Sequence, residues 1–204
     1  MTDQHLVPNH HAHYPSFRGL AGLAAALSMV VGRDSDARYA SQLADLGPDD
    51  VVVDVGCGPG VAVRHAARLG VRATGIDPAP VMLRTARLLT WGGDNVRYVE
   101  GVAEALPVGD HCATVVWSIA TVHHWSDLDA GLAEARRVLR PGGHLVAIER
   151  RTYPGAHGHA SHGWTNQQAE TFADRCREHG FDAVCVQQDT TGRRSTLSVV
   201  ATNP

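Results

Sequence analysis

The chain has 204 residues, a formal net charge of −3 and a hydrophobic fraction of 44%, which suits one globular domain with its own core and excludes a polycationic nucleic-acid binder. All 18 basic residues are arginine, so no lysine is present to form a Schiff base or to serve a phosphate-binding P-loop. Cys57, Cys112, Cys176 and Cys185 lack C-x-x-C or zinc-ligand spacing, and a reducing, cytoplasmic compartment is the expectation.

Residues 1–15 are polar and rich in His and Pro, and are expected to be mobile until something covers them. Leu20, Leu23, Ala24, Leu27, Val30 and Val31 recur at spacings of three and four, which predicts a helix over 16–31 with Ser16 as its cap. Its apolar stretch is too short to span a bilayer, and it lacks the basic face of an interfacial helix. It reads as a cover or lid, with a homodimer surface as the alternative. A second helix is predicted over 36–46, stopped by Gly47 and Pro48.

The rhythm then changes. Residues 51–55 are a β-branched run broken only by Asp54, as in a strand buried on both faces. Helices are predicted over 61–69, 79–90, 128–139 and 165–179, and strands over 71–76, 96–100, 113–118 and 144–149. Such alternation implies a parallel, doubly wound sheet. Strands over 182–188 and 195–201 flank a turn, so the last strand is expected to be antiparallel.

Between the first strand and its helix lies Asp54-Val55-Gly56-Cys57-Gly58-Pro59-Gly60. Three glycines let the backbone turn tightly and approach a ligand. A dinucleotide fingerprint, G-x-G-x-x-G, would require glycine where Val61 stands. Asp54 is poor company for phosphates but suits an ammonium or sulfonium. Asp77 ends the second strand, the place where nucleoside-binding α/β folds grip a ribose diol. A helix N-cap role is the other reading of Asp77, since Pro78 follows. The site therefore asks for a ribose and a cationic tail without phosphates.

The sequence resembles the class I S-adenosylmethionine-dependent methyltransferases, in particular the small type 11 group. The resemblance covers residues 49–151. It rests on the glycine loop, Gly75-Ile76-Asp77-Pro78, Gly101-Val102-Ala103-Glu104-Ala105-Leu106-Pro107, Val122-His123-His124-Trp125, and Glu134-x-x-Arg137-Val138-Leu139-Arg140-Pro141-Gly142-Gly143. It implies a Rossmann-like three-layer α/β sandwich over 49–204, preceded by a flexible segment and helical cover over 1–48. It also implies S-adenosylmethionine as cofactor, S-adenosylhomocysteine as product, and a small-molecule acceptor methylated on O, N or C by direct displacement. By resemblance, Gly56, Gly58 and Gly60 cradle the methionyl part, Asp54 lies near its amino group and Asp77 holds the ribose. Pro78 and Met82 pack on the adenine. Cys57, a small loop filler, and Ser118, at the end of strand four, complete the candidate cofactor set. The family often has an Asp where Val102 stands, so adenine recognition falls to the backbone near Val102 and Ala103.

His123 and His124 follow strand four, at the sheet edge where ligands bind, and are the candidates for a general base. Proximity to the methyl donor without a base is the alternative. His157, His159 and His162, in a Gly-rich loop, are read as acceptor contacts, and Tyr14 and Phe17 as groups closing over the cofactor. With His10, His11 and His13 at the N-terminus, these histidines lack a fixed ligand spacing, and no metal site is expected. Nucleic-acid and membrane-spanning partners are not expected. Two rivals stand: a non-catalytic domain that senses the same cofactor, and a nicotinamide-dependent oxidoreductase.

Overall fold

A computed structural model describes residues 6–12, 34–90, 94–190 and 195–204. The predicted helix over 16–31, with its lid and dimer readings, lies outside the described residues, as do Ser16, Tyr14, Phe17 and His13.

The elements alternate as the pattern requires. In chain order they are α1 (Asp34–Leu43), β1 (Val51–Val55), α2 (Val61–Arg68), β2 (Arg72–Asp77), α3 (Pro80–Leu89), β3 (Val96–Glu100), β4 (Ala113–Ile119), α4 (Leu128–Val138), β5 (Leu139–Arg150), α5 (Asn166–Glu178), β6 (Asp182–Asp189) and β7 (Thr196–Thr202). The sheet order is β3-β2-β1-β4-β5-β7-β6. β7 is antiparallel to both neighbours, and the other pairings are parallel.

Period-two alternation splits the core between two faces. Val53, Val55 and Val116 pack with Leu132 of α4 and Phe172 of α5 on one side. Val52, Val115 and Trp117 pack with Ala37 of α1, Ala66 of α2 and Leu83 of α3 on the other. The chain reverses its direction of sheet growth between β1 and β4. Open α/β sheets bind ligands at such a switch point, beyond the carboxyl ends of the strands.

Three expectations are corrected. The helix expected over 36–46 begins earlier, at Asp34, where Asp34 and Asp36 place acidic groups in its first turn. The Pro141-Gly142-Gly143 segment does not separate helix from strand, because β5 already begins at Leu139. Asn203 holds that stretch: Gly142 N donates to its carbonyl at 2.7 Å and its own N–H donates to Gly143 O at 2.8 Å. Finally, residues 6–12 are docked on the domain. Trp164 Nε1 donates to Pro8 O at 2.9 Å, Asn9 Nδ2 to Trp125 O at 3.2 Å, and His11 N to His123 O at 2.8 Å. Among the described residues no helix is long and apolar enough to cross a membrane.

Candidate active site

The loop after β1 turns through left-handed backbone at Gly56 (φ 76°), Gly58 (φ 52°) and Gly60 (φ 74°), a region that strains residues with a side chain. Gly56 N and Cys57 N both donate to Ile76 O, at 2.8 and 3.0 Å, which ties the loop to the end of β2. Two glycines also admit close neighbours. A Cβ on Gly56 would stand 2.6 Å from Thr121 Cγ2, and one on Gly60 would stand 2.3 Å from the Tyr98 hydroxyl oxygen. The need for glycine at 56 and 60 thus has an internal cause, in addition to any approach by a ligand.

Cys57 is buried, and a Cβ on Gly75 would meet its sulfur at 2.8 Å, so it fills a slot that glycine opens. Burial, then the charges of Asp54 and Asp77, push its thiol well above the usual range. A thiol held neutral in this way is a poor nucleophile.

Asp77 supplies the sharpest geometry. Its Oδ2 accepts from Gly58 N at 2.9 Å and its Oδ1 from Ala79 N at 2.8 Å. The helix that follows starts from Ala79 with no side-chain cap, so Asp77 is not its N-cap. The carboxylate instead bridges the glycine loop and the entry to α3, and each oxygen keeps a lone pair for a further donor. Burial raises its pKa, partly opposed by those two N–H groups. Asp54, on β1, is also buried, 2% exposed. A glycine-lined loop flanked by two buried carboxylates fits a cationic, hydroxyl-bearing ligand and repels phosphate.

The other predicted cofactor residues divide into surface and support. Pro78 is exposed and Val102 is 43% exposed, whereas Met82 is buried against Ala79 and Val81. Ala103 is buried in the main core. Ser118 is wholly buried and shares a 2.5 Å hydrogen bond with Thr121 Oγ1, which itself donates to Val55 O at 2.8 Å. Its visible role is to fix the β4 exit against the β1 loop.

The segment carrying Val102 and Ala103 is clamped by two motif glutamates. Glu104 Oε1 accepts from Ser126 N and Asp127 N, at 2.5 and 3.0 Å. Glu134 Oε2 accepts from Leu106 N at 2.7 Å, and Arg137 grips both Glu134 oxygens at 2.7 Å each. Arg137 also donates to Leu106 O and Val108 O, both at 3.0 Å. The Glu134-x-x-Arg137 motif therefore holds the 102–108 segment from α4.

Beyond β4 the backbone passes Ala120 in left-handed conformation (φ 58°) and enters a short 3-10 turn, Val122–His124. His123 is 2% exposed, and its Nδ1 lies 2.9 Å from each oxygen of the fully buried Glu149 at the end of β5. His124 Nδ1 donates to His11 O at 3.4 Å. Trp125 is a core residue, packed where Gly131 leaves room for its ring. His11 and His162 join the pair: ring centroids are 4.4 Å apart for His11–His162, 4.2 Å for His123–His124 and 5.4 Å for His123–His162. Burial first, then the charges of neighbouring imidazoles, lower the pKa of His11, His124 and His162 to about 4 each. They are neutral near pH 7.

Sequence reasoning placed His123 and His124 at this edge but missed Glu149, Thr121 and the partnership with His11. An acidic residue closing the apolar run 145–148 was the available signal for Glu149. His157 and His159 stay exposed outside the four-histidine group.

Comparison with known proteins matches the same part of the chain. Residues 53–147 match the model described as "Methyltransferase domain", Methyltransf_11. The chain is 34% identical over 114 residues to demethylmenaquinone methyltransferase of Tropheryma whipplei (strain Twist), covering 55% of this chain and 46% of that protein. It is 32% identical over 160 residues to 27-O-demethylrifamycin SV methyltransferase of Amycolatopsis mediterranei (strain S699), covering 75% of this chain and 55% of that protein. The chain thus spans about half the length of the curated relatives it matches. A SAM-dependent methyltransferase from Aquifex aeolicus shares the fold, with a TM-score of 0.74 at 17% identity, over 89% of this chain and 98% of that one. Motifs, sheet order and matched relatives converge on residues 53–147, which match the methyltransferase-domain family model.

Proposed function

We propose that the protein transfers a methyl group from S-adenosylmethionine to a nucleophile on a small molecule. The observation that carries this reading is Asp77, held by Gly58 N and Ala79 N at the mouth of the glycine loop. When bound, the cofactor supplies an electrophilic methyl on a sulfonium. The chain's own residues bind and orient. Gly56, Cys57, Gly58 and Gly60 form the loop along the methionyl part, with Asp54 as counter-charge to its ammonium. Asp77 accepts from the ribose hydroxyls. Pro78 and Val102 offer the apolar surface for the adenine, backed by Met82 and Ala103.

The acceptor side is the edge formed by His123 and His124. Holding the nucleophile in line with the methyl supplies much of the rate. Of the two histidines, His123 is the better base. Glu149 takes its Nδ1–H, which leaves the Nε2 lone pair to accept the acceptor's proton. His124, depressed to about 4 mainly by burial, is a weak base at neutral pH. The matched relatives are named as a demethylmenaquinone methyltransferase and a 27-O-demethylrifamycin SV methyltransferase, which supports a small organic acceptor here.

The test is incubation with S-adenosylmethionine and a panel of small phenols, carboxylic acids and amines, with S-adenosylhomocysteine quantified by mass spectrometry. Acceptor-dependent product is expected, with a lower kcat in His123→Gln and unchanged cofactor binding. Tight cofactor binding with no product from any acceptor would favour the sensor reading.

A further inference from the structure

We propose that His11, His123, His124 and His162 form a binding site for a divalent transition metal of the zinc class. One ring nitrogen from each of the four lies within 4.8 Å of one from every other. Four nitrogens around a tetrahedral zinc lie about 3.3 Å apart, given Zn–N distances of about 2.0–2.1 Å. The four nitrogens would draw inward to that spacing as an ion binds. The set contains only imidazoles, which suit zinc, nickel, copper or iron and not magnesium or calcium.

Three independent stretches of chain supply the ligands: the N-terminal segment, the turn after β4 and the loop after β5. The sequence offered no fixed spacing because the spacing is made by the fold. Metal-binding histidines characteristically donate their second N–H to a carboxylate or carbonyl, which fixes the tautomer and the ring. That outer shell is already in place. His123 Nδ1–H goes to Glu149, which is 0% exposed and, among the described residues, is paired with no other side chain by hydrogen bond or ion pair. His124 Nδ1–H goes to His11 O. Both therefore present Nε2 lone pairs. Ser161 Oγ donates to Gly158 O and so accepts from His11 Nε2 at 3.2 Å, which makes Nδ1 the imine nitrogen of His11. The buried Glu149 carboxylate also offsets part of an ion's charge.

The consequence is a clasp. A bound ion would fasten residues 6–12 and the loop after β5 onto the acceptor edge. It would also take the Nε2 lone pair of His123, so the base role of that residue belongs to the metal-free form. The site itself does not depend on the methyltransferase reading.

Cobalt(II) is the probe, a coloured stand-in for zinc. Chelator-treated protein comprising all 204 residues is titrated with cobalt(II), followed by its visible absorption and by elemental analysis of the desalted protein. The expected result is one ion per chain, with affinity at least about tenfold weaker in His11→Ala and in His162→Ala. Glu149→Gln should weaken it by roughly 10- to 100-fold. The exposed His157→Ala and His159→Ala variants should bind like wild type. Cooperative thermal unfolding shows that each variant is folded, and S-adenosylhomocysteine titration reports the cofactor site separately. If folded wild type binds no cobalt, or the His11 and His162 variants bind it as well as wild type, the site is overturned; the latter outcome means adventitious surface binding.

Discussion

His123 Nδ1 lies 2.9 Å from both carboxylate oxygens of Glu149, and neither side chain reaches solvent to a significant extent. Removing one partner of such a buried pair strands the other. His123→Ala should therefore destabilise the fold by about 3–5 kcal/mol. Glu149→Gln, which keeps an acceptor for Nδ1–H, should cost less. In the double variant His123→Ala/Glu149→Gln part of the loss should return, because no buried carboxylate is left unpaired. Urea denaturation of the three proteins measures this coupling.

The glycine loop makes a second prediction. Gly56→Ala must place a side chain at φ 76° and within 2.6 Å of Thr121. The backbone alone costs about 1–2 kcal/mol, and the contact adds to it. Trimming the neighbour with Thr121→Ser relieves part of the contact but none of the backbone strain. Gly56→Ala should therefore remain destabilised in the double variant, as read from the denaturation midpoint.

Arg137 and Glu134 form a two-pronged ion pair whose carboxylate also accepts from Leu106 N. Arg137→Lys keeps the charge but loses the fork. It should loosen the segment around Val102 and Ala103. Amide hydrogen exchange should rise at residues 102–108, with little change in β1 or β2. Unaltered exchange there would mean that the clamp does not hold this segment.

Much of this architecture was legible in the sequence, for identifiable reasons. Strands buried on both faces leave runs rich in β-branched residues, as at 51–55 and 113–119, and the glycine punctuation after β1 follows from positive φ. Asp77 was legible because its place at a strand end is set by local order. Glu149, Thr121 and His11 were not, because each acts on residues 26 to 113 positions away. The docking of residues 6–12 was hidden for the same reason. Their polar composition suggested mobility, yet the structure gives those polar groups partners at Trp164, Gln168 and Trp125.

The histidine group also sets an acid limit in metal-free protein. His11, His124 and His162 titrate near 4 in the fold against 6.5 as the reference, chiefly through burial. Between those values the unfolded chain binds more protons than the folded one, so stability falls as pH drops. It is fully present above about pH 6.5 and declines toward pH 4. The groups facing the cluster act in opposite directions: His10 lowers His11, His159 and Arg150 lower His162, and Glu149 raises His11 and His124. His162→Gln should flatten the decline of Tm with pH, measured in the presence of a chelator.

The most direct measurement is calorimetric titration of the purified protein with S-adenosylmethionine, S-adenosylhomocysteine and NAD, alongside Asp77→Ala and Asp77→Asn. Wild type should bind the first two and not NAD. Hydrogen bonds to a charged group are worth about 1.5–3 kcal/mol, so Asp77→Ala should weaken both ligands by roughly ten- to hundredfold, and Asp77→Asn by less. Binding of NAD alone, or S-adenosylmethionine affinity indifferent to Asp77, would contradict the assignment of this loop and carboxylate to the methyl donor.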